Sequence, residues 1–306
     1  MKWEDIKYID YYIMDKIIEK YPNLNKISTI PIHKRFPYII QINLEEKENF
    51  AKEMNALTMT NYESIFSGKK VAIIGPSPSI YNEKNGCEIE DEYDIIVRIN
   101  KQWHHDSSLD TYIGKRTDIL YNCMNCSEEC GGVIDINYAK EHNLKLIVDP
   151  IMFGYNMQNT RDHIFRGTKR LDWYVMFHLN NQTTIPFGMI NMDKYMEWDK
   201  QADTRINTGL LAILDVLSSD AEEVYIKGFT FFKDGYISNY RNKIGGKETS
   251  EENSSQAVLS YMDKYKIHDQ EKQWNFFKMF IQHNTIKSKL KMDKALTDIM
   301  NLSSYN

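Results

Sequence analysis

The chain has little that would staple it, anchor it or bind it to nucleic acid. Only 4 of its 306 residues are Cys, too few for a disulfide scaffold, so a reducing, cytoplasmic compartment is expected. No apolar run reaches the roughly eighteen residues a membrane-spanning helix needs. The opening MKWEDIKYIDYYIMDKIIEKYP is too charged for a secretory signal. Lys and Arg number 38 against 43 Asp and Glu, a net charge of −5, which argues against a basic nucleic-acid-binding face. Neither G-x-G-x-x-G nor G-x-x-x-x-G-K-S/T occurs. The classic dinucleotide fold and the P-loop class are therefore both disfavoured.

What remains is ordinary for a folded protein: 42% hydrophobic and 26% charged residues. Residues 1–66 read as a peripheral N-terminal layer. A helical stripe runs from Ile6 to Ile18, Pro22 stops it, and PYIIQINL (37–44) reads as extended. From residue 67 to 306 the pattern is that of one larger domain. Short Ile- and Val-rich runs follow one another at VAIIG (71–75), DIIVRIN (94–100), TDILYN (117–122), LKLIVDP (144–150), WYVMF (173–177) and EEVYIKGF (222–229). They are continuously apolar, as strands covered on both faces are. INTGLLAILDVLSSD (206–220) reads as a helix packed on the sheet. The expected fold is α/β: a single Rossmann-like, mostly parallel sheet with helices on both faces. NKIGGKETSEENSSQ (242–256) reads as a polar loop.

Chemistry is expected at the carboxyl ends of the strands, where open α/β sheets bind ligands. The turn after the first run, GPSPS, supplies Gly75 for a tight turn and the hydroxyls of Ser77 and Ser79. An ordinary strand-to-helix turn would look the same. DIIVRINK ends in Arg98 and Asn100. Asn suits base or ribose recognition, and Arg98 could meet a phosphate or a buried carboxylate. Gly114, Arg116 and Asp118 suggest a structural Arg–Asp pair. Thr208 and Gly209 open a helix, which either seats an anion or simply carries an Asn/Thr cap. His268 precedes a helix with an acidic start, Asp269 and Glu271. It is either a general base near neutral pH or a structural His.

In this order, the pieces resemble the eukaryotic-type sialyltransferases, glycosyltransferase family 29. The large motif of that family corresponds to Val71–Tyr121, its small motif to Asn207–Phe229 and its very short motif to His268–Gln273. The resemblance implies a GT-A-like variant of the Rossmann fold. It also implies an inverting, metal-independent transfer from a CMP-sugar donor to a hydroxyl of a glycan or glycolipid acceptor. Sialic acid or a related sugar such as Kdo would be the group moved. Gly75, Ser77, Ser79 and Asn100 would line the CMP site, Thr208 and Gly209 would hold the donor's phosphate or carboxylate, and His268 would be the base. No cofactor or metal is implied, and the chain has no D-x-D, the acidic pattern of metal-dependent sugar-nucleotide transferases.

The chain departs from the family pattern at several points. Pro76 and Ser79 stand where the family has Asn, and Gln273 stands where it has Glu. No His lies between Phe229 and His268, so Tyr236 or Tyr240 is the candidate substitute as phosphate donor. The family's Cys pair is missing from the small motif, which agrees with a reducing compartment and with a bacterial or viral relative. These departures also leave open a non-catalytic nucleotide- or glycan-binding protein on the same fold. Separately, CMNCSEEC places Cys123, Cys126 and Cys130 in one cluster. Free or redox-active thiols, a Zn site or Fe–S ligation would each fit it.

Overall fold

The structure is a computed structural model. It describes residues 16–31, 34–57, 62–124, 132–150, 168–180, 185–237, 240, 243–244, 247–248, 254–265 and 268–305. Among them seven strands form one sheet: β1 (Lys70–Ile74), β2 (Ile95–Ile99), β3 (Ile119–Tyr121), β4 (Leu146–Asp149), β5 (Phe187–Met189), β6 (Glu223–Lys227) and β9 (Leu290–Met292). Their order is β5-β4-β3-β2-β1-β6-β9 and every neighbouring pair is parallel. A two-stranded antiparallel hairpin, β7 (Lys243–Ile244) with β8 (Lys247–Glu248), stands apart.

The helices are α1 (Pro22–Ser28), α2 (Phe36–Gln41), α3 (Leu44–Leu57), α4 (Gly86–Glu92), α5 (Asp110–Ile113), α6 (Ile136–Glu141) and α7 (Thr168–Asn180). They continue as α8 (Met192–Ala202), α9 (Thr208–Ser218), α10 (Ser254–Tyr265), α11 (Gln270–Phe280), α12 (Asn284–Lys287) and α13 (Lys294–Met300). One face of the sheet, carrying Val71, Ile73, Val97 and Tyr121, is covered by α9 and by the buried sides of α8, α11 and α13. The other face divides. Ala72, Ile74 and Ile96 pack against α4 and α5. Leu120, Ile147 and Phe187 pack against α7 and the N-terminal helices, whose Leu24, Ile39, Phe50 and Met54 join the same buried cluster. This two-sided burial is why the strands read as continuous apolar runs.

Two expected strands are helical instead. PYIIQINL enters α2, with Pro37 in its first turn, where the missing N–H costs nothing. Ile39 and Ile42 are buried while Tyr38 and Ile40 are about half exposed, a helical spacing that alternation would not give. WYVMF lies inside α7, where Leu171, Tyr174, Val175, Met176 and Phe177 are all buried. A helix buried nearly all round loses its polar stripe, and its apolar run then mimics a strand. β5 and β9 were not expected, since three-residue strands leave no run to read. The expected loop at 242–256 contributes β7, β8 and the first turn of α10. Most of the Ile6–Ile18 stripe lies outside the described residues. No described helix is long and apolar enough to cross a membrane.

Two buried titratable groups pull in opposite directions. Asp215, midway along α9, is fully buried and accepts hydrogen bonds from the hydroxyls of Tyr62 and Tyr121, both at 2.5 Å. Burial, aided by Glu63, pushes its carboxyl up to about 7 from 3.8, against the two tyrosines and Lys194. The folded chain therefore keeps a proton that the unfolded chain releases. This contribution is complete below pH 3.8 and is lost as pH rises through about 7. His178, packed among Tyr174, Phe177 and Phe187, is lowered by burial to about 3 from 6.5. Its contribution is present above pH 6.5 and is lost as pH falls toward 3. Between them the slopes oppose, each at most about 1.4 kcal/mol per pH unit. Asp215→Asn should unmask the histidine: its melting temperature should drop on acidification from about pH 6.5 to about pH 4, where the unaltered chain stays nearly level. Thermal melts across that range check this, and overlaid curves would contradict it.

Candidate active site

β1 pairs with β2 on one side and β6 on the other, so the strand order reverses there. In such sheets the crevice at the carboxyl ends of the diverging strands is the ligand site. Four segments emerge at that edge: 75–82 after β1, 100–104 after β2, 122–124 after β3 and 228–230 after β6.

The first and last of these touch through glycine. The Gly75 N–H donates to the Lys227 carbonyl at 2.7 Å and the Ser77 N–H to the Gly228 carbonyl at 3.0 Å. A Cβ on Gly75 would lie 2.4 Å from the Gly228 oxygen, and Gly228 itself has φ +76°. Both positions require glycine. Phe229 continues the contact. Its ring would lie 2.7 Å from a Cβ on Gly75 and 2.8 Å from one on Gly209, so one aromatic side chain joins the β1 loop to the start of α9. Beside it sit three hydroxyls. Thr230 Oγ1 donates to Ser77 Oγ at 3.2 Å, Ser77 Oγ donates to Ser79 Oγ at 3.1 Å, and the Ser79 N–H donates to Ser77 Oγ at 3.2 Å. Ser77, Ser79 and Thr230 are all buried.

At α9 the cap is Asn207, whose Oδ1 accepts the Leu210 N–H at 2.9 Å. Thr208 and Gly209 form the first turn. A helix N-terminus leaves N–H groups without intrahelical partners and carries partial positive charge. The segment leading to it is tied to the start of α11. The Asp269 N–H donates to Thr204 Oγ1 at 3.0 Å, His268 Nδ1 to the Arg205 carbonyl at 2.8 Å, and the Asn207 N–H and Nδ2 to Gln273 Oε1 at 3.0 and 2.8 Å. With a carbonyl as its partner, Nδ1 of the neutral ring carries the proton. The lone pair then belongs to Nε2.

Asn100 stands at the end of β2 with φ +48° and accepts the Cys123 N–H on Oδ1 at 2.9 Å. Gln102 ties this segment to the first loop by donating from Nε2 to the Gly75 carbonyl at 2.5 Å. Tyr240 is buried, donates to the Ile99 carbonyl at 3.4 Å, and lies against the Tyr236 ring at 5.0 Å. All nine candidate residues thus occupy the carboxyl edge around β1, β2 and β6. Gly75, Ser77, Ser79, Thr208 and Gly209 form one set joined by Phe229 and Thr230. Asn100, Tyr236 and Tyr240 form another at the end of β2. His268 joins the first set through the segment 204–207.

Arg98 is not half of a close carboxylate pair among the described residues. Fully buried, it donates from Nη2 to the carbonyls of Ile113 and Gly114 at 2.8 Å and from Nε to Thr117 Oγ1 at 3.1 Å. Burial lowers it to about 10. The Arg116–Asp118 pair is present, with Nε 3.1 Å from Oδ2. Cys123 is half-buried, and Cys126 and Cys130 lie outside the described residues. Sequence reasoning missed Thr230 and Gln102, single polar residues with no motif around them. It registered Gln273 only as a departure.

No family model matches the chain, and no curated protein does. Solved structures similar to it include two of mammalian sialyltransferases. One is a mammalian sialyltransferase in complex with Gal-beta-1-3GalNAc-ortho-nitrophenol, at 14% identity and TM-score 0.44, covering 86% of this chain and 85% of that one. The other is a mammalian sialyltransferase at 15% identity and TM-score 0.43, covering 95% of this chain and 83% of that one.

If the glycine contact is structural, Gly75→Ala should destabilise the ligand-free protein by roughly 1–3 kcal/mol, as overpacking does. Denaturant titration without nucleotide measures this. An unchanged midpoint would mean that the two loops can separate freely.

Proposed function

We propose that this chain is a glycosyltransferase that moves sialic acid, or a related CMP-activated sugar, from a CMP-sugar donor to a hydroxyl of a glycan or glycolipid acceptor. The observation that carries the reading is the convergence of three separated motifs. The turn after β1, the N-terminus of α9 and the His268 segment meet at the sheet's switch point through Phe229 and the 204–207 ties.

In the proposed step, His268 Nε2 takes the proton of the acceptor hydroxyl as its oxygen attacks the anomeric carbon. The bond from that carbon to the phosphate oxygen breaks and CMP departs as the anion. Attack from the opposite side inverts the centre. The growing negative charge on the leaving group needs fixed dipoles. The N-terminus of α9 supplies them, and the hydroxyls of Ser77, Ser79 and Thr230 lie one Phe229 ring away. Asn100 would face the nucleoside, and Tyr236 or Tyr240 would be the phosphate donor, Tyr240 only by giving up its bond to the Ile99 carbonyl.

CMP should raise the melting temperature more than UDP or GDP does, without added divalent metal, because a ligand that binds only the folded state stabilises it by mass action. Stabilisation confined to UDP-sugars with Mn²⁺ would refute the reading. CMP binding with no turnover of CMP-sugars would favour a binding protein that lacks catalysis.

His268→Ala should slow transfer by about 10²–10⁴-fold while leaving CMP affinity nearly unchanged. It should also remove the acidic limb of the pH–rate profile, which reports protonation of the base. Turnover and melting temperature measured on one preparation separate this from simple destabilisation. Wild-type turnover in the variant would take His268 out of the mechanism.

A further inference from the structure

Gln273 lies in the first turn of α11 and is fully buried. Its Oε1 accepts two hydrogen bonds from one residue, the N–H and the Nδ2 of Asn207, at 3.0 and 2.8 Å. Asn207 in turn caps α9 by accepting the Leu210 N–H on Oδ1 at 2.9 Å. The planar amide of Asn207 is thereby gripped at both ends. Turning it over would break the contact to Gln273 and the contact to Leu210 together. A double acceptor at this point requires a carbonyl-type oxygen, which Gln and Glu possess and apolar side chains of similar size do not. His268 is in the same segment as Gln273, and its ring is held by the Arg205 carbonyl, two residues before Asn207.

We propose that Gln273 is a positioning residue that sets the register between His268 and the N-terminus of α9. This rests on the functional reading above and extends it, since Gln273 itself touches neither reacting atom. The latch fixes the cap of the helix that would face the leaving group. The same bonds fix the helix start that carries the base. Without it, two half-buried donors on Asn207 lose their acceptor and the cap is free to turn, so base and leaving-group site no longer hold one spacing. Misplacement of about 1 Å can cost on the order of a hundredfold in rate.

Three variants test the assignment. Gln273→Met keeps the volume and removes the acceptor. Gln273→Glu keeps an oxygen that can take both bonds. Asn207→Ser keeps a capping oxygen and removes the Nδ2 donor, opening the contact from the other side should the Met variant fold poorly. Hydrogen exchange at the Leu210 amide reads the latch without any nucleotide. It should accelerate by about tenfold or more in Gln273→Met and stay slow in Gln273→Glu, with the β1 amides unchanged in both. Transfer from a CMP-sugar should fall by roughly ten- to a hundredfold in Gln273→Met and Asn207→Ser at matched folded fractions, and Gln273→Glu should restore most of it. Leu210 exchange that does not respond to Gln273→Met overturns the latch. A latch that opens with no loss of turnover overturns the positioning role. A wild-type chain with no turnover of any CMP-sugar sinks the functional reading and the catalytic half of the proposal with it, while the exchange measurement still decides the latch.

Discussion

β1 and β6 go on touching after their last strand residues, and the candidate site depends on that contact. Two glycines allow it. Gly75 and Gly228 bring main chain against main chain, and any Cβ on Gly75 would sit 2.4 Å from a carbonyl oxygen. The strand ladder thus runs into the loops, through Gly75 to Lys227 and Ser77 to Gly228. Because the loops cannot splay, the Phe229 ring reaches both Gly75 and Gly209. The start of α9 is drawn to the switch point, and the His268 segment follows through its bonds to 204–207.

α9 serves two purposes at once. Its N-terminal turn lies at the switch point, where Asn207 takes the Leu210 N–H and helix geometry leaves the N–H groups of Thr208 and Gly209 without intrahelical acceptors. The rest of it is buried in the main core from Leu210 to Leu217. Within that apolar body Asp215 is held by Tyr62 and Tyr121. A carboxyl kept protonated by burial costs far less than a buried charge would. The helix can then carry a polar lock to the 62–66 turn and β3 that costs least in acid and more as pH rises toward 7.

The opposite face of the sheet is held by cations. Arg98 and Lys227 both stand beside Ile74 in the strand register, one on each side of it. Arg98 donates to the carbonyls at the end of α5, and Lys227 to those of Tyr112 and Glu83 and to Asn85. Two buried side chains thereby pin the loop 83–85 and the end of α5 under the site. Burial lowers the affinity of both for their protons. Both spend most of their donors on oxygens of these segments, although Arg98 Nη1 is buried without a hydrogen-bond partner.

Local pattern was enough to read β1 to β4 and β6, because a strand buried on both faces is apolar without interruption. It was enough to read α9 and its Asn cap, since capping is chemistry between near neighbours. It placed Gly75, Ser77, Asn100, Thr208 and His268 at strand and helix ends, where backbone groups run out of partners. It failed at α7, where complete burial erased the helical period, and at β5 and β9, where three residues carry no period at all. The pairing of Gly75 with Gly228 and of Gln273 with Asn207 joins residues 153 and 66 positions apart, and only the tertiary structure decided it. Nothing near either residue in the chain marks its partner. An acceptor oxygen or a missing Cβ acquires meaning only when the sheet order has brought the second residue within reach.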